Sequence, residues 1–308
     1  MKISLIIPTL NAAEYLPKLI DILERQTLKA DEIIVADSQS EDETVALAKE
    51  AGWKVMPVLR KDFDHGGTRN YAVDNAIGDI VLFLSQDAIP ADEKYIENIV
   101  KGFADEEVVM ISARQLPRRN AKPDEALIRQ FNYPSESFVR DKSDIEKLGI
   151  KAYFFSDVCS AYRKDFFKQI GGFEAPILTN EDMLMAARAL AADRKIGYTA
   201  EAKVYHSHNY TFGQQYKRNF DVAAFMKMYE NEIKGEGTTG EGIRMVLFVE
   251  KELLKHLSIS AAIHCVFDSA AKFMGNRAGR KYAQMSEEKI LDKTSNRNYW
   301  INQFGENY

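Results

Sequence analysis

With 308 residues, 45% of them hydrophobic and 28% charged, the chain has the balance of a folded protein, one large domain plus an appendage, and not of a disordered segment. A formal charge of −5 argues against a nucleic-acid-binding fold, which displays a basic stripe, so any anionic small ligand needs a local site. The two cysteines, Cys159 and Cys265, lack CxxC or zinc-ligand spacing, which excludes a disulfide framework and fits a cytoplasmic protein.

The opening MKISLIIPTL carries too short an apolar run for a signal-peptide core and reads as a strand over 3–7. Leu16, Leu19, Ile20 and Leu23 follow at helical spacing, so a helix is expected within 12–23. The strand-then-helix pattern recurs at 33–36 and 44–51, at 55–59 and 68–76, and at 80–84 and 92–103. Such alternation predicts an α/β fold with a mostly parallel, helix-covered sheet. In sheets of this kind ligands bind beyond the carboxyl ends of the strands. The residues there are polar: Pro8, Thr9 and Asn11; Asp37, Ser38 and Ser40; Gln86 and Asp87.

From 108 to 172 the alternation weakens, and Arg118, Arg119 and Pro123 suggest a long excursion that carries acceptor-binding loops. A helix is expected from Glu181, then two short strands at 195–199 and 202–205. Beyond Gln214 the pattern is helical, interrupted by KGEGTTGEG at 234–242, the best internal hinge or loop. No apolar run is long enough to span a membrane. The expected organisation is an α/β domain over 1–212, in two halves of about 1–105 and about 106–212, with a helical extension over 213–308.

Gly66 and Gly67 would let backbone approach a ligand and lead into a helix carrying Arg69, so an anion would meet a cation and free N–H groups; a plain strand-to-helix turn reads equally well. Asp87, at a strand's end, is placed to hold Mg²⁺ or Mn²⁺ against two phosphates, and taken alone it reads at least as well as a cap for the next helix. Glu181 and Asp182 by themselves would complement a helix dipole.

The segments IIPTLNAAEYL, IIVADSQSEDET, HGGTRN, FLSQDAIP, NEDMLMAARA and YHSHNYTFGQQYKRNFD, in this order over roughly residues 1–225, resemble family 2 glycosyltransferases of the GT-A fold. HGGTRN, QDA and HSH together resemble the family's bacterial rhamnosyltransferase branch. The resemblance implies an inverting single displacement with Asp182 as general base. It assigns Pro8, Thr9, Asn11, Glu14, Asp37, Ser38, Arg69, Asn70 and Gln86 to the nucleotide. His65, Gly66, Gly67, Glu181, His208 and Arg218 fall to the donor sugar or diphosphate. Asp87 would ligate the metal, and since Ala88 stands where many relatives carry a second aspartate, His206 would join it. A lone histidine also reads as a structural residue.

The implied reaction transfers L-rhamnose from dTDP-L-rhamnose to a growing or lipid-linked surface polysaccharide, the lipid being undecaprenyl diphosphate. The runner-up keeps the mechanism with another donor, such as a UDP-hexose. A dinucleotide-dependent oxidoreductase is disfavoured because no GxGxxG follows the first strand, and a non-catalytic sugar-binding module because Asp87 and Asp182 are both present. In the tail, Val246, Val249, Leu253, Leu257, Ile263 and Phe267 form amphipathic helices. With Lys272, Arg277, Arg280 and Lys281 they leave three uses open: a solvated face, peripheral contact with the inner face of the cell membrane, or a homo-oligomer interface.

Overall fold

A computed structural model describes residues 1–235 and 238–305, the backbone alone at 238, 239 and 241. The first half follows the expected alternation: β1 (Ile3–Thr9), α1 (Leu16–Glu24), β2 (Glu32–Asp37), α2 (Thr44–Glu50), β3 (Lys54–Pro57), α3 (His65–Asp74), β4 (Ile80–Leu84), a short β5 (Ile89–Pro90) and α4 (Tyr95–Lys101). Pro17 opens α1, where its missing N–H costs nothing. Strands β3, β2, β1 and β4 lie side by side and parallel.

Buried runs such as ISLIIPT arise because helices cover both faces. Ile6, Ile34, Val81 and Phe83 point into one core, and Leu5, Ile7, Leu82 and Leu84 into the other.

The weakly patterned stretch contains β6 (Val108–Leu116), α5 (Pro123–Asn132), β7 (Phe138–Arg140), α6 (Asp144–Leu148), β8 (Cys159–Arg163) and α7 (Lys164–Gln169). Strand β8 enters the sheet between β4 and β6, antiparallel to both. After α8 (Glu181–Ala191) comes β9 (Lys195–Tyr205), parallel to β6 and antiparallel to β5 and β7. The sheet is therefore mixed, within the GT-A class. The two short strands expected at 195–205 are one strand. Its ladder with β6 jumps from Thr199 opposite Ala113 to Lys203 opposite Arg114, and this irregularity breaks the alternation.

Helices complete the chain: α9 (Phe212–Met228), α10 (Thr238–Lys255), α11 (Ile259–Gly279), α12 (Glu287–Lys293) and α13 (Arg297–Phe304). Residues 236 and 237 of the expected glycine-rich break lie outside the described residues, and 238–242 already belong to α10. Gly275 and Gly279 of α11 meet the carbonyl oxygens of Tyr216 and Phe220 so closely that a Cβ would collide, which lets α9 and α11 pack backbone to backbone. Asp221, buried on α9, accepts from the Thr294 hydroxyl at 2.6 Å and the Ser295 N–H at 2.7 Å, tying the α12–α13 linker to α9.

Candidate active site

Strands β1, β2, β4, β6 and β9 all run in one direction, so Pro8, Asp37, Gln86, Arg118 and His206 gather at one edge. Because β8 runs the other way, the residues before it, Ser156 and Asp157, reach the same edge. Two cavities open there. One, of 430 Å³, is lined by Pro8, Thr9, Ser38, Arg60, Phe63, Gln86 and, from α13, Asn298. The other, of 580 Å³, is lined by Gln115, Arg129, Asp157, Asp182, Tyr210 and Arg218 among others. His65, Arg69, Ser85 and Asp87 belong to both.

The loops of the first cavity are held from within. Asp37 accepts from the Thr9 hydroxyl at 2.9 Å and from the Ser40 N–H at 2.9 Å and hydroxyl at 2.6 Å. Asn11, at φ 50°, accepts from the Glu41 N–H at 2.9 Å. Gln86 brackets the Leu10 main chain, accepting its N–H at 2.8 Å and donating to its carbonyl at 3.1 Å. The Ser38 hydroxyl is buried and unpartnered, a polar group that a bound ligand would satisfy. Asn11, Glu14 and Asp37 line neither cavity; Asn11 and Asp37 hold the loops that do.

The residues of HGGTRN are held largely by the protein itself. Helix α3 starts at His65, so both glycines lie in its first turn, and the Gly67 N–H is taken by the capping carboxylate of Asp64 at 2.7 Å. Gly66 has no room for a Cβ because the Glu174 carbonyl lies against it, and neither glycine lines the two cavities. Asn70 turns away from the cavities, donating to the Phe173 carbonyl at 2.8 Å and accepting its N–H at 2.9 Å. Arg69 is buried and pairs with Glu181 at 3.0 Å and Asp157 at 3.8 Å, on the wall shared by the two cavities.

Asp87, His206 and His208 converge. Asp87 Oδ2 lies 3.6 Å from His206 Nε2 and 3.4 Å from His208 Nε2, and the two Nε2 atoms are 3.0 Å apart. Ligands about 2.1 Å from one ion and cis to each other stand roughly 3.0 Å apart, so these spacings fit one divalent cation. The tautomer of His206 is set by its neighbours. Arg129 donates to Gln115 Oε1, fixing that atom as an acceptor, and His206 Nδ1 lies 2.9 Å from it, so Nδ1 carries the proton and Nε2 presents its lone pair. Burial, with the cations Arg129 and Arg118 nearby, pushes the His206 pKa down to about 2, keeping the ring neutral as a ligand must be. Arg118 also pairs with Asp87 at 3.2 Å and lies over the Tyr15 ring.

Asp182 occupies the second cavity at the head of α8. Its carboxylate accepts the Asp157 N–H at 3.0 Å and its own helix's Met183 N–H at 2.7 Å. Burial first, then the charges of Asp157 and Glu181, raise its pKa well above the usual carboxylate range. Asp157 is buried, its Oδ1 accepting from Ser160 at 2.7 Å and Tyr162 at 2.6 Å, and burial pushes its pKa up to about 6. Arg218 sits over Tyr210, whose ring stacks on His208.

Sequence reasoning missed Gln115, Arg118, Arg129, Asp157 and Asn298. Asp157 had a legible signal, a polar residue beside a short alternating strand, but its use requires knowing that β8 runs antiparallel.

The Glycosyl transferase family 2 model matches residues 4–171. Over 98% of this chain, and 97% of its own length, the O-antigen chain rhamnosyltransferase RfbN of Salmonella typhimurium is 40% identical. The O-antigen chain rhamnosyltransferase WbaN of Salmonella anatum is 36% identical over 97% of this chain and 96% of its own. Among solved structures, the mannosyltransferase PcManGT of Pyrobaculum calidifontis, in complex with GDP-Man and Mn²⁺, superposes with a TM-score of 0.59 at 17% identity, covering 97% of this chain and 85% of its own. S. aureus TarS 1–349 with UDP-GlcNAc gives 0.54 at 16% identity, covering 92% of each chain. At these identities the structures speak for the GT-A fold.

Proposed function

This chain belongs to glycosyl transferase family 2 and is a glycosyltransferase, and from that premise we propose that it transfers L-rhamnose from dTDP-L-rhamnose, with inversion, to a hydroxyl of a lipid-linked surface polysaccharide. One observation carries the reading: Asp87, between His206 and His208, stands on the wall common to both cavities, while Asp182 lines the second alone. The nucleotide occupies the first cavity, with Thr9, Ser38 and Gln86 around it, and the acceptor enters the second. Residues of about 1–105 form the nucleotide half, and those of 106–212 the acceptor half.

The acceptor oxygen attacks the anomeric carbon as Asp182 takes its proton, and the bond from that carbon to the diphosphate oxygen breaks, releasing dTDP. A raised pKa suits a base that must hold this proton near neutral pH. Asp87, His206 and His208 would hold a Mg²⁺ or Mn²⁺ ion, and such an ion would supply positive charge for the diphosphate leaving group. Arg118 and Arg218 add fixed cationic charge beside it. The names of the two Salmonella relatives support the sugar and the O-antigen type of acceptor, and the Mn²⁺ complex of the mannosyltransferase supports a divalent ion as cofactor. The reaction is placed at the cytoplasmic face of the membrane, where a lipid-linked acceptor is reached.

Thermal-shift measurements with dTDP, UDP, GDP and NAD, with and without Mn²⁺, followed by transfer assays from dTDP-rhamnose and UDP-glucose, test this. A metal-dependent dTDP shift and rhamnosyl transfer are expected. A UDP preference would replace the donor, and an NAD response alone would overturn the reading.

A further inference from the structure

Helices α10 and α11 form a hairpin that buries Val249, Leu253, Ala262 and Cys265 between them and against α5. The outward side of α11 is apolar. Ile259, Ile263, Val266, Phe267, Phe273 and Met274 are each more than half exposed, at i, i+4, i+7, i+8, i+14 and i+15, the spacing of one helical face. Leu257, in the turn joining the helices, is 83% exposed. A contiguous exposed apolar face of this length marks a contact surface.

Charge says what it contacts. Between 243 and 281 there are seven Lys or Arg against three Asp or Glu, in a chain whose net charge is −5. Every exposed charged side chain in that span is a cation: Arg244, Lys251, Lys255, Arg277, Arg280 and Lys281. Of the three acids, Asp268 pairs with Lys272 at 2.7 Å, Glu252 with Lys255 at 2.6 Å, and Glu250 is partly buried. A two-fold contact through this span would bring these cations together with no exposed acid of the span to meet them. None of the described helices is long and apolar enough to cross a membrane, so the surface they would contact is met from one side.

We propose that the α10–α11 hairpin docks the protein on an anionic lipid surface, with Leu257 and the apolar face of α11 in the headgroup layer and the cations on lipid phosphates. The docked face adjoins the site. His264 of α11 lies 2.7 Å from Asp124 at the head of α5, and Ile128 and Arg129 of α5 line the cavity that holds Asp182. The purpose of the docking rests on the lipid-linked acceptor proposed above, whereas the docking itself rests on the helices alone.

Co-sedimentation with vesicles tests it, using phosphatidylcholine with and without phosphatidylglycerol. Binding to the anionic vesicles is expected, weakened by salt. Phe267→Asp, and separately Lys251→Glu with Arg277→Glu, are expected to lower partitioning roughly ten-fold or more while leaving transfer to a soluble acceptor unchanged. Failure of the wild-type protein to bind, binding insensitive to both variants, or a concentration-dependent dimer lost in Phe267→Asp would overturn the proposal. Because vesicle binding needs no donor, its outcome is independent of whether rhamnose is the sugar transferred.

Discussion

Asp157 donates its main-chain N–H to Oδ2 of Asp182 at 3.0 Å, which holds the carboxyl groups of both residues in one recess with Glu181. Among the described residues, Arg69 is the cation within ion-pair distance of this group, 3.0 Å from Glu181 and 3.8 Å from Asp157. Three acids against that cation, in a desolvated pocket, hold Asp182 above the ordinary carboxylate range; burial is the leading cause and the neighbouring charges add to it.

The pH profile of transfer should report this. The base works only when deprotonated, so kcat is expected to fall on the acid side with an apparent pKa well above the value of about 3.9 of a free aspartate. Asp157→Asn removes a like charge but keeps the main-chain donor, so the acid limb should move to lower pH. A limb that stays in place in this variant would remove Asp157 from the role of tuning the base.

Substitution of the base should separate function from stability. A carboxyl whose folded pKa is raised favours the fold below its unfolded pKa, and that contribution is lost as pH rises through the folded value. Asp182→Asn is therefore expected to raise Tm by about 2 °C or more at pH 8, with little change at pH 4. Transfer should fall roughly 10²–10⁴-fold while the dTDP thermal shift is retained. Weak dTDP binding in this variant would take Asp182 out of the base role.

Metal affinity should depend on a residue that touches no metal. Gln115→Leu frees the His206 ring to rotate and change tautomer, so the Mn²⁺ concentration for half-maximal activity should rise roughly 10–100-fold. His206→Ala should raise it at least as far. Unchanged Mn²⁺ dependence in both would leave Asp87 without its imidazole partner.

Gly66→Ala tests packing against ligand approach. The added methyl meets the Glu174 carbonyl, so denaturant unfolding should show a loss of about 1–3 kcal/mol. A stable variant with weakened donor binding would restore the glycine to a ligand role.

The sequence by itself determined the strand–helix alternation from β1 to α4, because its information is local. Continuous burial in β1, β2 and β4 and helical spacing in α1 arise from each segment's own residues meeting covered faces. The rule that ligands gather beyond parallel strand ends then pointed to Thr9, Ser38, Gln86 and Asp87, and the HSH element to His206. Tertiary structure alone decided the rest. Asp157 reaches the site because β8 enters the sheet backwards, and Arg118 because β6 ends at the same edge. Asn298 arrives from α13, at the far end of the chain. The tautomer of His206 hangs on Gln115, 91 residues away. HGGTRN looked like an anion-binding turn because glycine permits both close ligand approach and close helix packing; the Glu174 carbonyl against Gly66, a contact between segments distant in sequence, selects the second.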